Sequence, residues 1–485
     1  MLILYHTLET IPTNWLNRMP STVKLKYPVL IIAALLLLLP SNVRAAEALQ
    51  KTLSLPECIQ IALKNATSVQ KASNSQHLEG IDVLRSYGSF LPKVASSSSY
   101  VPRSVNRSYS LDTQTGTDLI KTKTDTATLG FTLSTSLNLF NGLSDYSALQ
   151  SALRLRNASG FTLERARQAV VYDVTQSYYQ VLLNQELLSI ARENLQSARD
   201  LFTLVDRQYK IGLKSVIDLY QQEAEVSNNE LNAIKADNQL RRSKLELLRR
   251  LRIDPLSEIT PLPVDTASLE SLSPDLDLRT LADLSIRNRA DLRAKQLESD
   301  AARWQVRTAR GSRLPKLDLA VSMSTNAIDA YKLSSYGQTF DFPLPPAGMQ
   351  LQNGVDYSVA FNLTWTLFDG FMTRYNVESA KVAHLNQKLD YEELKDGIVI
   401  DLKQAAGDYR AAFGQIASAR ATLTAAGSAY SGVLRKYELG ASGFVELSTA
   451  RATLFNAKST LTQAVYNLAL QRALLDFTTG KNSFQ

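Results

Sequence analysis

The side chains that most often carry chemistry are scarce and scattered in this chain. Cys58 is its one cysteine, and His77 and His384, two of its three histidines, have no recognisable partner, which leaves little material for a zinc site or a thiol nucleophile. One thiol makes no intrachain disulfide. Ser442, in Gly440-Ala441-Ser442-Gly443-Phe444, sits beside glycines but lacks the final glycine of a nucleophile elbow, and no phosphate-binding glycine loop follows a strand. The basic cluster Arg241-Arg242-Ser243-Lys244 and Arg249-Arg250-Leu251-Arg252 suits the C-terminal end of a helix, where cations offset the dipole, better than a nucleic-acid patch. Two acids stand out instead: Asp218 and Glu446 lie 228 positions apart, each just past a turn glycine. With no convergent acid, base and nucleophile, no enzyme and no cofactor or metal is expected.

Over 485 residues the composition is ordinary, 45% apolar and 20% charged, with a net charge of +7 spread along the chain. That average argues against disorder and against a bundle of membrane helices. The N-terminus sets the compartment. Lys24 and Lys26 precede an apolar run from Val29 to Leu39, then Pro40 and Val43-Arg44-Ala45, the layout of a secretory signal peptide (1–45) cleaved after Ala45. The run is too short to span a bilayer as a helix, and no cysteine follows the cleavage point to carry a lipid. Translation from Met19 rather than Met1 would give the signal a better charged start.

The rest is written twice. Ala62-Leu63-Lys64-Asn65 and Phe90-Leu91-Pro92-Lys93 recur as Ser285-Ile286-Arg287-Asn288 and Arg313-Leu314-Pro315-Lys316 at an offset of 223. Leu139-Phe140-Asn141-Gly142 and Arg207-Gln208-Tyr209-Lys210-Ile211-Gly212 recur as Leu367-Phe368-Asp369-Gly370 and Arg435-Lys436-Tyr437-Glu438-Leu439-Gly440 at 228. This predicts a first repeat over 46–255, a proline-punctuated linker over 256–277, a second repeat over 278–480 and a short tail, 481–485.

Prolines are absent from 103–254 and 347–485. Within those spans Val181, Leu188, Leu195, Phe202 and Tyr209 recur every seven residues with Asn184, Ala191, Ala198 and Val205 between them, and Tyr409, Ile416, Leu423, Tyr430 and Tyr437 do the same in the second repeat. The spacing predicts coiled-coil helices over about 143–210 and 371–438, with return helices over about 215–250 and 443–478. One amphipathic helix should open each repeat, near 56–89 and 278–311. Alternation such as Val355, Tyr357, Val359, Phe361, Leu363, Trp365, Leu367 predicts a β-hairpin in each repeat, about 93–140 and 316–368, with polar loops over about 104–125 and 327–352. Strands of this kind suit a lipid-facing barrel, yet four cannot close one, so several chains must share it. Two, three or four copies would satisfy the count. A periplasmic coiled-coil scaffold or adaptor without a barrel is the alternative; the stripe from Phe361 to Leu367 argues against it.

The duplicated plan, the opening Leu53-Ser54-Leu55-Pro56-Glu57-Cys58-Ile59-Gln60-Ile61-Ala62-Leu63, the Leu-Phe-(Asn/Asp)-Gly strand ends and the Tyr-x-x-Gly turns together resemble the TolC family of outer-membrane efflux proteins. The resemblance implies a mainly α protomer with a membrane β-barrel part: a trimer with a twelve-stranded barrel continued by an α-helical tunnel through the periplasm. It implies a duct for drugs, small molecules or proteins, as in efflux or type I secretion, working with a periplasmic adaptor and an inner-membrane transporter. Nucleic acid is not a partner. It further implies that the tips Gly212-Leu213-Lys214-Ser215 and Gly440-Ala441-Ser442-Gly443 meet the adaptor and close the tunnel. Family members hold the gate by bonding an acid, here Asp218, to a tyrosine, here Tyr437, and to an arginine, where this chain has Ser442. A lumenal acidic ring maps to Glu446, with Thr449 at its second acid position; three Glu446 carboxylates near one axis would attract cations.

Overall fold

The computed structural model describes residues 51–111, 119–264, 276–335 and 338–481. The expected signal peptide, the middle of the linker and all of the tail after Lys481 lie outside the described residues. The first repeat runs β1 (Lys51–Leu53), α1 (Leu55–Asn65), α2 (Thr67–Gly88), β2 (Lys93–Leu111), β3 (Leu119–Phe140), α3 (Ser144–Lys210) and α4 (Val216–Leu251). After β4 (Ile259–Pro261) the second runs α5 (Leu278–Asn288), α6 (Ala290–Gly311), β5 (Lys316–Ser335), β6 (Gln338–Asp341), α7 (Ala347–Asn353), β7 (Val355–Thr364), α8 (Met372–Glu438) and α9 (Phe444–Thr478).

The long helices α3 and α8 have 67 residues each, about 100 Å at the α-helical rise. Val181, Leu188, Leu195, Ala198 and Val205 on α3, with Tyr409, Ala412, Ile416 and Ala419 on α8, are buried along the heptad seam. Each long helix folds back on its return helix, α3 on α4 and α8 on α9, and α9 also lies against α3.

Two expectations need correction. Each repeat opens with two helices rather than one, because Ala66 (φ −60, ψ 125) and Arg289 (φ −66, ψ 117) are extended and break the run. At the second break the buried Arg289 is held by Asp291 (Nη2 to Oδ2, 2.6 Å), which also faces Arg165 of α3 at 3.5 Å, so the joint is tied to its neighbour. The polar loops are also much shorter than expected. β2 and β3 stay paired out to Leu111 and Leu119, and β5 runs to Ser335, while α7 occupies part of the second loop. Ser104, Asn106, Ser108, Thr122, Thr124 and Thr126 look like loop residues, but a strand that projects beyond an apolar zone has no need of an apolar face. β7 ends at Thr364, short of Leu367.

Paired antiparallel, the strands make one sheet in the order β2-β3-β5-β7, with β6 on the far end of β5. β1 pairs with β4 in parallel, and the buried Tyr178 hydroxyl of α3 reaches the carbonyls of Leu53 (3.1 Å) and Leu262 (2.7 Å), fixing both chain segments beside the helix.

Candidate functional site: a two-faced sheet and the helical tips

The register sorts the sheet into two chemically different faces. Leu133, Met323 and Tyr357 stand in one row across β3, β5 and β7, Thr135, Val321 and Val359 in the next, and Leu137, Leu319 and Phe361 in a third. On the opposite face Ser134, Ser322 and Ser358 are aligned, as are Asn138, Asp318 and Asn362; Asn138 donates to Asp318 at 3.1 Å and the two serines on β5 and β7 are 2.7 Å apart. Within one chain the apolar face is bare: Tyr357 is 76% exposed and Leu363 69%. β7, at ten residues, has the length of a tilted membrane strand.

Strands pass into long helices through paired left-handed residues, Gly142-Leu143 (φ 69, 64) and Gly370-Phe371 (φ 64, 69), repeating the same turn. At the first turn a Cβ on Gly142 would stand 2.2 Å from the Gly311 carbonyl oxygen, so only glycine lets α6 approach. Trp365 donates to the Arg313 carbonyl at 3.2 Å beside the second turn, and Phe368, Phe371 and Tyr375 lie exposed around it, an aromatic cluster suited to a membrane interface.

Both tips end α-helices in the same way. Gly212 (φ 80) and Gly440 (φ 77) take the left-handed conformation, and the next amide, on Leu213 or Ala441, donates back to Gln208 or Lys436 at 2.8 Å. Ser215 and Asp218 then form a capping box at the start of α4: the Ser215 hydroxyl (2.8 Å) and amide (3.1 Å) both donate to Asp218 Oδ2. The Ser215 hydroxyl hydrogen bond, then its amide and the Lys214 charge, hold the Asp218 carboxyl below the usual carboxylate range. Tyr437 is buried, with the Lys214 ammonium 4.1 Å from its ring centre. Burial first and the nearby Asp218 charge second push its hydroxyl up. No bond joins Asp218 to Tyr437 here; the Tyr437 hydroxyl has no partner among the described residues. Ser442 donates to Glu446 at 2.7 Å within its own tip. Glu446 and Thr449 share an exposed face of α9, one turn apart.

Two features escaped the sequence reading. Beside Leu213, already placed at the first tip, the apolar Ile211 and Leu439 stand bare, 71% and 85% exposed. About three turns above them, Arg451 of α9 is buried and paired with Glu225 of α4 at 2.6 Å. Arg451 lies in line with Leu447 and Phe455 at helical spacing, so a cation inside an apolar stripe was the available signal.

The sheet, the duplicated hairpins of helices and the tips match one family throughout. The outer membrane efflux protein family model covers residues 58–251 and 281–481. The chain belongs to that family. Outer membrane protein TolC of Escherichia coli (strain K12) is 23% identical over 344 residues, 70% of this chain and 67% of that protein. The alkaline protease secretion protein AprF of Pseudomonas aeruginosa is 26% identical over 359 residues, 71% and 69% of the two chains. In fold, the Campylobacter jejuni CmeC outer membrane channel superposes with a TM-score of 0.73 at 17% identity, covering 88% of this chain and 85% of that one. VceC of Vibrio cholerae does so at 0.69 and 16%, covering 88% and 96%. This efflux protein is thus an outer-membrane component of export systems, extending into the periplasm, with a fold of channels rather than of known enzymes.

Proposed function

We propose that three copies of this chain build one duct: a twelve-stranded barrel in the outer membrane, opening downward into a helical tunnel. The observation that carries this reading is the match between the bare surfaces of one chain and its internal duplication. Within the chain, α3 of the first repeat lies on α6 of the second, with Ser151 Oγ donating to the Ala301 carbonyl at 3.1 Å. Shifting by the two repeat offsets puts α8 on α2 of a neighbouring copy, Ser379 facing Leu78 and Gly370 facing Gly88. Those helices are where apolar side chains stand bare: Leu78, Ile81 and Leu84 on α2, and Val382, Leu385 and Leu389 on α8. The same shift pairs β7 with β2 of the neighbour, setting Phe361 beside Tyr100 and Leu363 beside Ser98 on the apolar face. Four strands per chain and the family resemblance select three copies.

The tips then close the periplasmic end, with Asp218, Tyr437 and Ser442 holding their shape. The bare Ile211, Leu213, Leu439 and Ala441, with Lys214, Ser215, Gly212, Gly440 and Gly443 around them, suit docking by a helical adaptor that links the duct to an inner-membrane transporter. Glu446, with Thr449 behind it, faces the passage as an acidic ring. The passage suits drugs, small molecules or proteins as cargo. Reconstituted into planar bilayers, the detergent-extracted protein should give stepwise, cation-selective conductance, less selective in Glu446→Gln. Recovery from the soluble periplasmic fraction with no channel activity would favour the scaffold reading.

A further inference from the structure

We infer that the closed end of this duct is locked by the buried ion pair between Arg451 and Glu225 rather than by bonds at the tips themselves. The inference rests on the duct reading above. At the tips the hydrogen bonds of Asp218 and Ser442 are local, with Ser215 and Glu446, and the contact from one tip to the other is the Lys214 ammonium over the Tyr437 ring at 4.1 Å. Tyr437 contributes its buried ring, and its hydroxyl has no partner among the described residues.

Further up, Arg451 Nη2 donates to Glu225 Oε1 at 2.6 Å, with the arginine side chain 2% exposed and the glutamate 24%. Glu225 Oε1 also accepts from Asn229 at 3.1 Å, and Asn229 accepts from Asn194 at 2.7 Å. This chain of bonds runs from α9 through α4 to α3, joining the return helix of one repeat to the coiled coil of the other. Ten residues separate Glu225 from Ser215, which puts the lock about 15 Å above the tips. Splaying the second coil from the first must break it and strand a buried cation.

The duplication shows that the device is specific to this seam. At the equivalent positions Arg451 is replaced by Glu223, Glu225 by Thr453, Asn229 by Ala457 and Asn194 by Thr422. The seam between copies, built from those residues, therefore has no such pair. Lys458 and Glu193, at 2.5 Å, also join α9 to α3, but the glutamate is 56% exposed, so solvent screening weakens that contact.

Single-channel conductance of purified trimers tests the lock. Glu225→Gln and Arg451→Met should each shift the closed-to-open equilibrium by on the order of 100-fold, as expected when one partner of a buried pair is removed, while Lys458→Ala should leave conductance near wild type. The charge-swapped double variant Glu225→Arg with Arg451→Glu should assemble and close again. Heat-resistant trimers of both single variants with wild-type conductance would overturn the proposal. If the single variants do not assemble, the swap decides: a closed swapped trimer supports the lock, and an open or unassembled one overturns it. Failure of the duct reading looks different, since wild-type protein would then form no channels.

Discussion

At the residue scale the tip groups divide into those that cap and those that fill. Asp218→Ala removes the acceptor of the capping box and should cost about 1 kcal/mol of tip stability, read as faster amide exchange over the first turn of α4 and a modest rise in conductance. Tyr437→Phe should change neither, because the hydroxyl it removes has no partner among the described residues, whereas Tyr437→Ala should loosen the tip. The pH dependence follows from the depressed Asp218 carboxyl: its contribution is complete above the ordinary carboxylate range and is lost only as pH falls through the lower folded value. Protection of the tip amides, corrected for the intrinsic pH dependence of exchange, should therefore stay constant across neutral and mildly acid pH; a loss of protection near pH 6 would contradict the capping role. The positions of Asp218, Glu446 and the turn glycines at the helical tips were legible because the duplication points to them twice. Arg451 was not, since it has no counterpart in the other repeat and its partner comes from a helix more than two hundred residues away.

At the element scale, proline-free heptad spans marked α3 and α8, because a long helix tolerates no interior proline and needs a continuous seam. The breaks at Ala66 and Arg289 went unseen: amphipathic spacing continues across both, and at the second it is tertiary anchoring, Asp291 on Arg165 of α3, that ties the kink to its neighbour. The extended ends of β2 and β3 went unseen because solvent-exposed strand and polar loop share one composition, and only pairing partners tell them apart. The junction glycines offer a direct check. Gly142→Ala should destabilise each protomer by about 1–3 kcal/mol or more from its positive φ and its clash with the Gly311 carbonyl. A Cβ on Gly88 meets nothing within 4 Å in a single chain, so Gly88→Leu should spare protomer folding but abolish heat-resistant trimers if α8 of a neighbour packs there. Normal trimers from Gly88→Leu would show that this seam is misplaced.

At the scale of the whole molecule, the low overall hydropathy belongs to a protein that meets lipid along only one face of a short stretch of sheet. The rest faces water inside a barrel or along a helical tunnel. The buried Cys58, its thiol pushed up to about 11 by burial and by Glu57, is part of the packing beneath α3 and has no accessible chemistry. Everything distinctive in the chain is therefore geometric, and the closure of one ring by several copies is the claim on which the rest depends. Its most direct test is a disulfide between copies at the register the duplication dictates. Oxidised Ser98→Cys with Leu363→Cys should run as a covalent trimer on a denaturing gel, while Ser98→Cys with Asn362→Cys, whose side chains lie on opposite faces, should not cross-link. Monomers only, dimers as the largest product, or equal cross-linking by both pairs would contradict the twelve-stranded barrel.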